Sequence, residues 1–247
     1  GGTEVANTDG SGATLASTIQ ANQTAGFSIV QVTAPGSPSG TYKIAHGLGA
    51  APHWIIGKNL ENSGGYNWSV YHKFMASDAE TDYMEFNTSD AYADNATVWG
   101  DTAPTSSVFT VGTGVPLIAN EKTIFYCWAP IEGYSKFGVY IGNNSTDGKF
   151  IYTGFKPAML IIKSTSGHTG YPWAIYDNAR SPFNPVKFML ESNRNVAEVS
   201  LDRVDFLANG FKLRQSYSYS NAAVAYTYMA FAEHPFVGSG TNPLTAF

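Results

Sequence analysis

The chain has 247 residues, of which 13% are charged, about half the roughly 25% usual in soluble domains. With 43% hydrophobic and 14% aromatic residues, and 14 basic against 19 acidic side chains, this composition excludes a disordered tail, a coiled coil and a nucleic-acid footprint. Apolar stretches such as Ala158-Met159-Leu160-Ile161-Ile162 fall far short of the about 20 residues a membrane helix needs, so a soluble protein or part of a soluble assembly is expected.

Residues 1–26 are rich in Gly, Thr, Ser, Ala and Asn without sustained periodicity, which reads as a linker or extended N-terminal arm. Their start, Gly1-Gly2-Thr3, has neither the basic nor the apolar region of a signal peptide and is read as the cut end of a longer polypeptide. From Phe27 onward, short runs of Val, Ile, Tyr, Phe and Thr alternate with Gly, Asn, Asp, Pro and Ser clusters, the pattern of an all-β sandwich or barrel. Two hairpins are predicted. One joins residues 137–141 to 150–152 through Asp147-Gly148; the other joins residues 204–208 to 211–214 through Asn209-Gly210, a turn in which both residues tolerate positive φ. Residues 195–206 also admit a short helix, although Val204 and Phe206 alternate with Asp205 in strand fashion.

An internal repeat organises the chain. Pro52-His53-Trp54-Ile55-Ile56 is echoed by Pro157-Ala158-Met159-Leu160-Ile161, and Trp68-Ser69-Val70-Tyr71 by Trp173-Ala174-Ile175-Tyr176. Val108-Phe109-Thr110-Val111 matches Gly210-Phe211-Lys212-Leu213, and Phe125-Tyr126-Cys127-Trp128-Ala129 matches Tyr228-Met229-Ala230-Phe231-Ala232, at offsets of 102 to 105 residues. A unit of about 100 residues is large enough for an antiparallel sheet pair to close its own core. The expected fold is therefore all-β: an arm (1–26), two tandem jelly-roll-like β-sandwich lobes (27–133 and 134–236) and a C-terminal tail (237–247). One larger sandwich sharing both copies is the alternative. Matched residues such as Trp68 and Trp173 are expected in the cores. Function has room where the copies differ: residues 76–105, 168–171, 193–195 and 215–221.

No catalytic signature is present, neither a phosphate-cradling loop nor a nucleophile elbow. The histidines His46, His53, His72, His168 and His234 lack metal-ligand spacing, so no metal and no cofactor is expected. Cys127, alone within Ile124-Phe125-Tyr126-Cys127-Trp128, reads as a small buried hydrophobe. Asp78, Glu80, Asp82, Glu85, Asp90, Asp94 and Asp101 form an acid-rich stretch, most simply a solvated face; paired acids at a suitable separation would also serve glycoside hydrolysis. The candidate ligand-binding residues are Tyr92, Asp94, Asn95 and Trp99 in one variable segment and Tyr217, Tyr219 and Asn221 in another, because flat rings beside amide and hydroxyl groups suit sugars and protein surfaces alike.

Read in order, Thr24-Ala25-Gly26-Phe27-Ser28-Ile29-Val30, Gly47-Leu48-Gly49, Glu132-Gly133-Tyr134-Ser135-Lys136-Phe137-Gly138, Tyr152-Thr153-Gly154-Phe155-Lys156-Pro157, residues 205–214 and Ala230-Phe231-Ala232-Glu233-His234-Pro235-Phe236 resemble a phage tail-associated structural domain. Such domains usually lie near the C-terminus of tail-fibre or tail-tip proteins of aquatic bacteriophages, and the resemblance spans about nine-tenths of the chain. It implies a non-enzymatic virion component acting outside the cell: a receptor-binding or adhesion module recognising a host-surface glycan or protein. It also implies a homo-oligomer, with a trimer favoured, among other virion proteins, with no nucleic acid and no membrane insertion. Architectural use in a baseplate or capsid decoration, and a glycan-degrading tail enzyme using first-lobe carboxylates, are the alternatives. The chain departs from the family pattern at Cys127-Trp128-Ala129-Pro130, where a run like Phe231-Ala232-Glu233 is expected and Pro130 ends the ladder.

Overall fold

Alternation of β-branched and aromatic residues with polar ones yields only strands. In the computed structural model, residues 3–5, 12–61, 65–115, 117–166 and 170–235 are described, and every regular element among them is β. The chain divides into two compact units, residues 1–86 with 92–129, and residues 87–91 with 130–247. The expected tail 237–247 and His168 lie outside the described residues.

Unit 1 comprises β1 (Thr3–Val5), β2 (Ser17–Asn22), β3 (Phe27–Thr33), β4 (Tyr42–Ala45), β5 (Trp54–Asn59), β6 (Ser69–His72), β7 (Asp82–Glu85), β8 (Ala93–Asp94), β9 (Val108–Val111) and β10 (Lys122–Trp128). An eight-stranded sheet runs β1-β2-β3-β10-β5-β6-β7-β8, and β4 pairs with β9 separately. Phe109 on β9 meets Phe125 on β10 edge to face at 5.0 Å, so the small sheet packs onto the large one across an aromatic contact.

Unit 2 comprises β11 (Ser135–Ile141), β12 (Phe150–Tyr152), β13 (Pro157–Ser164), β14 (Ala174–Asp177), β15 (Val186–Glu191), β16 (Val199–Leu207), β17 (Gly210–Leu213) and β18 (Ala225–Ala232). One antiparallel sheet runs β11-β18-β13-β14-β15-β16-β17-β12, a five-strand meander with the first, second and last strands placed at its ends. The sheet folds back on itself: Phe211 on β17 lies 5.3 Å from Tyr228 on β18 and 6.0 Å from Tyr140 on β11, inside a core that also holds Leu160, Ile162, Tyr176, Met189 and Val204.

The two strand orders coincide, with matched strands 102 to 108 residues apart. β3, β10, β5, β6 and β7 match β11, β18, β13, β14 and β15, while β9 and β4 match β17 and β12. The difference is one strand. Nine-residue β16 pairs first with β15 and then with β17, whereas its two-residue counterpart β8 pairs with β7 alone, which leaves the β4–β9 pair as a separate sheet. Core packing is conserved by exchange. Phe125 sits between Val30 and Gly57, and a Cβ on Gly57 would lie 2.7 Å from its ring. Tyr228 sits between Gly138 and Ile162, and here Gly138 is the residue without room for a Cβ, at 2.7 Å. Each ring thus leans on one glycine, on opposite sides in the two copies.

Several expectations need correction. Residues 17–22 of the expected arm form β2, a full partner of β3. Residues 199–207, open to a helix reading, are strand β16. β11 and β12 do not form a hairpin; β11 pairs with β18 and β12 with β17. The β16–β17 hairpin exists, but its two-residue turn is Ala208-Asn209, with Leu207 opposite Gly210, and neither Asn209 nor Gly210 has positive φ. Gly210 is required for close approach instead: a Cβ there would lie 2.1 Å from the Ile151 carbonyl oxygen. Trp173 is fully buried as expected of a scaffold residue, while Trp68 is half-buried with Lys58 Nζ 5.9 Å above its ring.

Candidate functional site

The first predicted segment, in unit 1, does not form a single site. Trp99 is 1% exposed and packs edge-on against Tyr71 at 5.8 Å, which makes it a core residue. Asn95 is committed to its own turn: Oδ1 accepts from Thr97 N (3.1 Å) and Thr97 Oγ1 (2.7 Å), the side-chain competition for backbone groups that Asn favours. Tyr92 is half-buried and Asp94 exposed. On β8, Asp94 stands opposite Asp82 of β7. Asp82 is buried, and its carboxyl is pushed up to about 6 by burial first, then by Asp78, Asp94 and Glu80.

The second segment, in unit 2, does assemble. Residues 214–224 connect β17 to β18, and buried tyrosines from the strands below fix their backbone. Tyr226 Oη donates to Ser218 O and Tyr140 Oη to Ser220 O, both at 2.6 Å. Asn221 is fully buried and inaccessible as a ligand contact: Nδ2 donates to Asn143 Oδ1, Ser145 O and Gln215 O, and Oδ1 accepts from Asn143 N. It serves as the clamp beneath the loop.

On this support stand half-buried Tyr217 and Tyr219, with ring centres 4.6 Å apart at 65°. Tyr171 extends the row, 5.5 Å from Tyr219. Arg203, on β16 and 1% exposed, has its guanidinium carbon over the Tyr217 ring, 3.5 Å from the ring centre; its Nη1 also donates to Met189 Sδ, 2.9 Å away. The ring face offers the negative potential that a buried guanidinium lacks in place of water. Exposed Arg194 reaches Tyr219 Oη at 3.4 Å and donates to Gly170 O. Below them, buried Lys163 donates to Tyr171 O (2.8 Å) and Ser89 O (3.0 Å). Burial pushes its ammonium down to about 8, with Asp90 opposing and Arg194 adding to the shift.

The result is a tyrosine ridge backed by three cationic side chains. The arrangement offers ring faces for stacking and N–H and O–H groups for hydrogen bonds. No group of three His, Cys, Asp or Glu residues suited to a metal occurs among the described residues. Burial pushes the Cys127 thiol up. His46, fully buried, is structural: its Nδ1 accepts from Leu48 N (3.2 Å) and its Nε2 lies 3.1 Å from Thr105 O. Sequence reasoning singled out Tyr217 and Tyr219 but missed Arg203 and Lys163, since alternation with Val204 and Phe206 places Arg203 on the face usually exposed.

These sheets and this ridge define an all-β, antiparallel protein with an aromatic and cationic surface assembled among the described residues of unit 2. The chain belongs to the family described as Domain of unknown function (DUF7483), whose model matches residues 1–235. Neither the curated proteins nor the solved structures yield a match.

Proposed function

We propose that the chain is the non-enzymatic receptor-binding module of a phage tail fibre, and that it holds a host-surface glycan on the tyrosine ridge of unit 2. One observation carries this reading. Three segments that differ between the repeats, residues 168–171, 193–195 and 215–221, supply Tyr171, Arg194, Tyr217 and Tyr219 to one place. A duplicated scaffold has no need of these residues twice, so their convergence in one copy supports a role beyond folding. Ring faces stack on the apolar faces of sugars, and Arg194, ion-paired with Glu191 at 3.3 Å, adds N–H donors for sugar hydroxyls at the rim. The fibre context implies a homotrimer among other virion proteins.

The test is adsorption of the full chain to host cells and to immobilised neutral and acidic glycans. Tyr217→Ala with Tyr219→Ala is expected to lose about tenfold or more in affinity, with Tyr92→Ala unchanged. Equal adsorption by the ridge variant overturns the reading in favour of an architectural virion component. A second reading, a glycan-degrading enzyme, is favoured only by Asp82, a buried acid held protonated into the weakly acidic range beside Asp94, Asp78 and Glu80. Release of reducing ends from host polysaccharide by the wild type and not by Asp82→Asn would establish it.

A further inference from the structure

The duplication leaves one position unfilled. In unit 1 the edge of β3 is covered by β2, from Ser17 opposite Val32 to Asn22 opposite Phe27. The same segment also reaches β4: Leu15 forms a parallel bridge to Ile44, Thr14 N donates to Lys43 O (2.8 Å), and Ser17 Oγ lies 3.5 Å from Ala45 O. It covers the turn after β4 as well, since a Cβ on Gly47 would lie 3.1 Å from Ile19 Cγ2 and 3.2 Å from Ala21 Cβ. Residues 13–22 therefore bridge the two edges that β3 and β4 present.

In unit 2 the counterparts of those edges are β11 and β12; among the described residues each has one strand partner, β18 and β17, and the outer side of β11 is taken only at its first residue, where Ser135 bridges Ile131. The chain explains the vacancy. β3 is preceded by a segment free to fold back as β2, whereas β11 is preceded, after residues 129–134, by β10, which already pairs with β3 and β5 in unit 1. Where the counterparts of Ile19 and Ala21 would sit, a cleft of about 950 Å³ opens, lined by Ile131, Ser135, Lys136, Tyr152, Gly154 and Phe155. Gly154 repeats the positive φ of Gly47, +91° against +70°, but the nearest atom a Cβ there would meet is Tyr152 Oη at 3.5 Å.

Ladder alternation fixes which groups face the vacancy. Ala232 N bonds Tyr134 O and Gly142 N bonds Val224 O, so even-numbered positions of β11 pair with β18, and the backbone groups of Val139 and Ile141 point to the other edge. Their side chains are 46% and 59% exposed, and Phe150 and Tyr152 on β12 are 45% and 60% exposed. The unit 1 counterparts of Val139 and Ile141 are Gln31 and Thr33, so the vacant edge is the more apolar of the two. One contact spans it: Lys136 Nζ donates to Tyr152 O at 2.9 Å, the counterpart of the Ala45 carbonyl.

We propose that the β11–β12 edge of unit 2 accepts an extended, uncharged strand from a different protein, running antiparallel to β11 as β2 runs antiparallel to β3. The strand places small or β-branched residues inward, at the positions of Ile19 and Ala21, and apolar residues outward against Val139 and Ile141. Main-chain pairing supplies affinity and the cleft supplies selectivity, as in strand addition at other sheet edges. Lys136 guards the edge in its absence and releases one hydrogen bond on entry.

The experiment titrates the full chain into a fluorescein-labelled peptide of residues 13–22 with Ala16 and Thr18, the positions facing Ile141 and Val139, replaced by Val, followed by anisotropy. Saturable binding is expected, weakened about tenfold or more by Val139→Pro, which removes an edge N–H without touching the β11–β18 ladder. Val139→Lys serves as the second variant and is expected to weaken binding likewise; unchanged melting of either variant shows that unit 2 is folded. No saturable binding, or equal binding by both variants, overturns the proposal. So does tighter peptide binding after removal of residues 237–247, which makes the chain's own tail the occupant, and so does a concentration-dependent dimer abolished by Val139→Lys, which makes it a second copy.

Discussion

Gly210→Ala separates two reasons for a glycine at the β16–β17 connection. As a turn residue it would supply positive φ; in the structure it supplies absence of a side chain, because an added Cβ lies 2.1 Å from the carbonyl oxygen of Ile151 on β12. A carbon and a carbonyl oxygen rest at about 3.3 Å, so the β17 and β12 backbones must part by about 1.2 Å. Both sides of that contact are main chain and have no rotamer to yield. Parting stretches the hydrogen bonds around the Tyr152–Gly210 and Ile151–Phe211 pairs beyond useful length. Two such bonds at about 1 kcal/mol each, with about 1 kcal/mol of residual crowding, give a loss of about 3 kcal/mol. At about 4 °C per kcal/mol for a unit of this size, the unfolding midpoint of unit 2 falls by about 12 °C in calorimetry. Asn209→Ala, at ordinary φ, stays within about 0.5 kcal/mol of wild type. A Gly210→Ala midpoint within about 2 °C of wild type, or an equal loss from Asn209→Ala, refutes the close-approach argument.

Trp99→Ala costs about 3 to 5 kcal/mol in urea unfolding, the usual cost of emptying a large aromatic site, and leaves glycan affinity per folded molecule unchanged. Asn221→Ala withdraws the donors that hold Asn143, Ser145 and Gln215; about 2 kcal/mol of stability is lost, and hydrogen exchange at residues 215–221 accelerates. Asp82 titrates at about 6 in the folded chain against an ordinary 3.8. Folding therefore favours its protonated form, and the associated stability is present below about pH 4 and lost as pH rises through 6. Unit 1 is expected to lose about 1 to 2 kcal/mol across that range. Denaturant titrations at pH 4.5 and 7.5 show this as a difference that Asp82→Asn abolishes.

Strand content and the duplication were legible because periodicity and repeat spacing are local signals that packing reinforces. Pairing partners were less so. The polar stretch between Tyr140 and Phe150 looks like a hairpin connection, yet β11 and β12 bind opposite ends of the sheet, since long-range closure around Phe211 and Tyr228 outweighs local proximity. The arm hid β2 because Ser17-Thr18-Ile19-Gln20-Ala21-Asn22 has small inward residues that gain burial only once β3 and β4 are in place. Within the site, the half-buried rings of Tyr217 and Tyr219 followed from sequence variation between the copies. Trp99 and Asn221 did not: their burial depends on contacts with Tyr71 and Asn143, which no spacing rule announces.

Cys127 gives the molecule an internal clock. It lies on β10 opposite Ser28 on one side and Ile55 on the other, fully enclosed, and it is the only cysteine in the chain. A thiol reagent therefore reacts only when the centre of the first sheet opens, and the second unit contributes nothing to the signal. Labelling rates over a denaturant series thus report the opening free energy of one copy of the duplicated scaffold in the presence of the other, with no tag or mutation introduced.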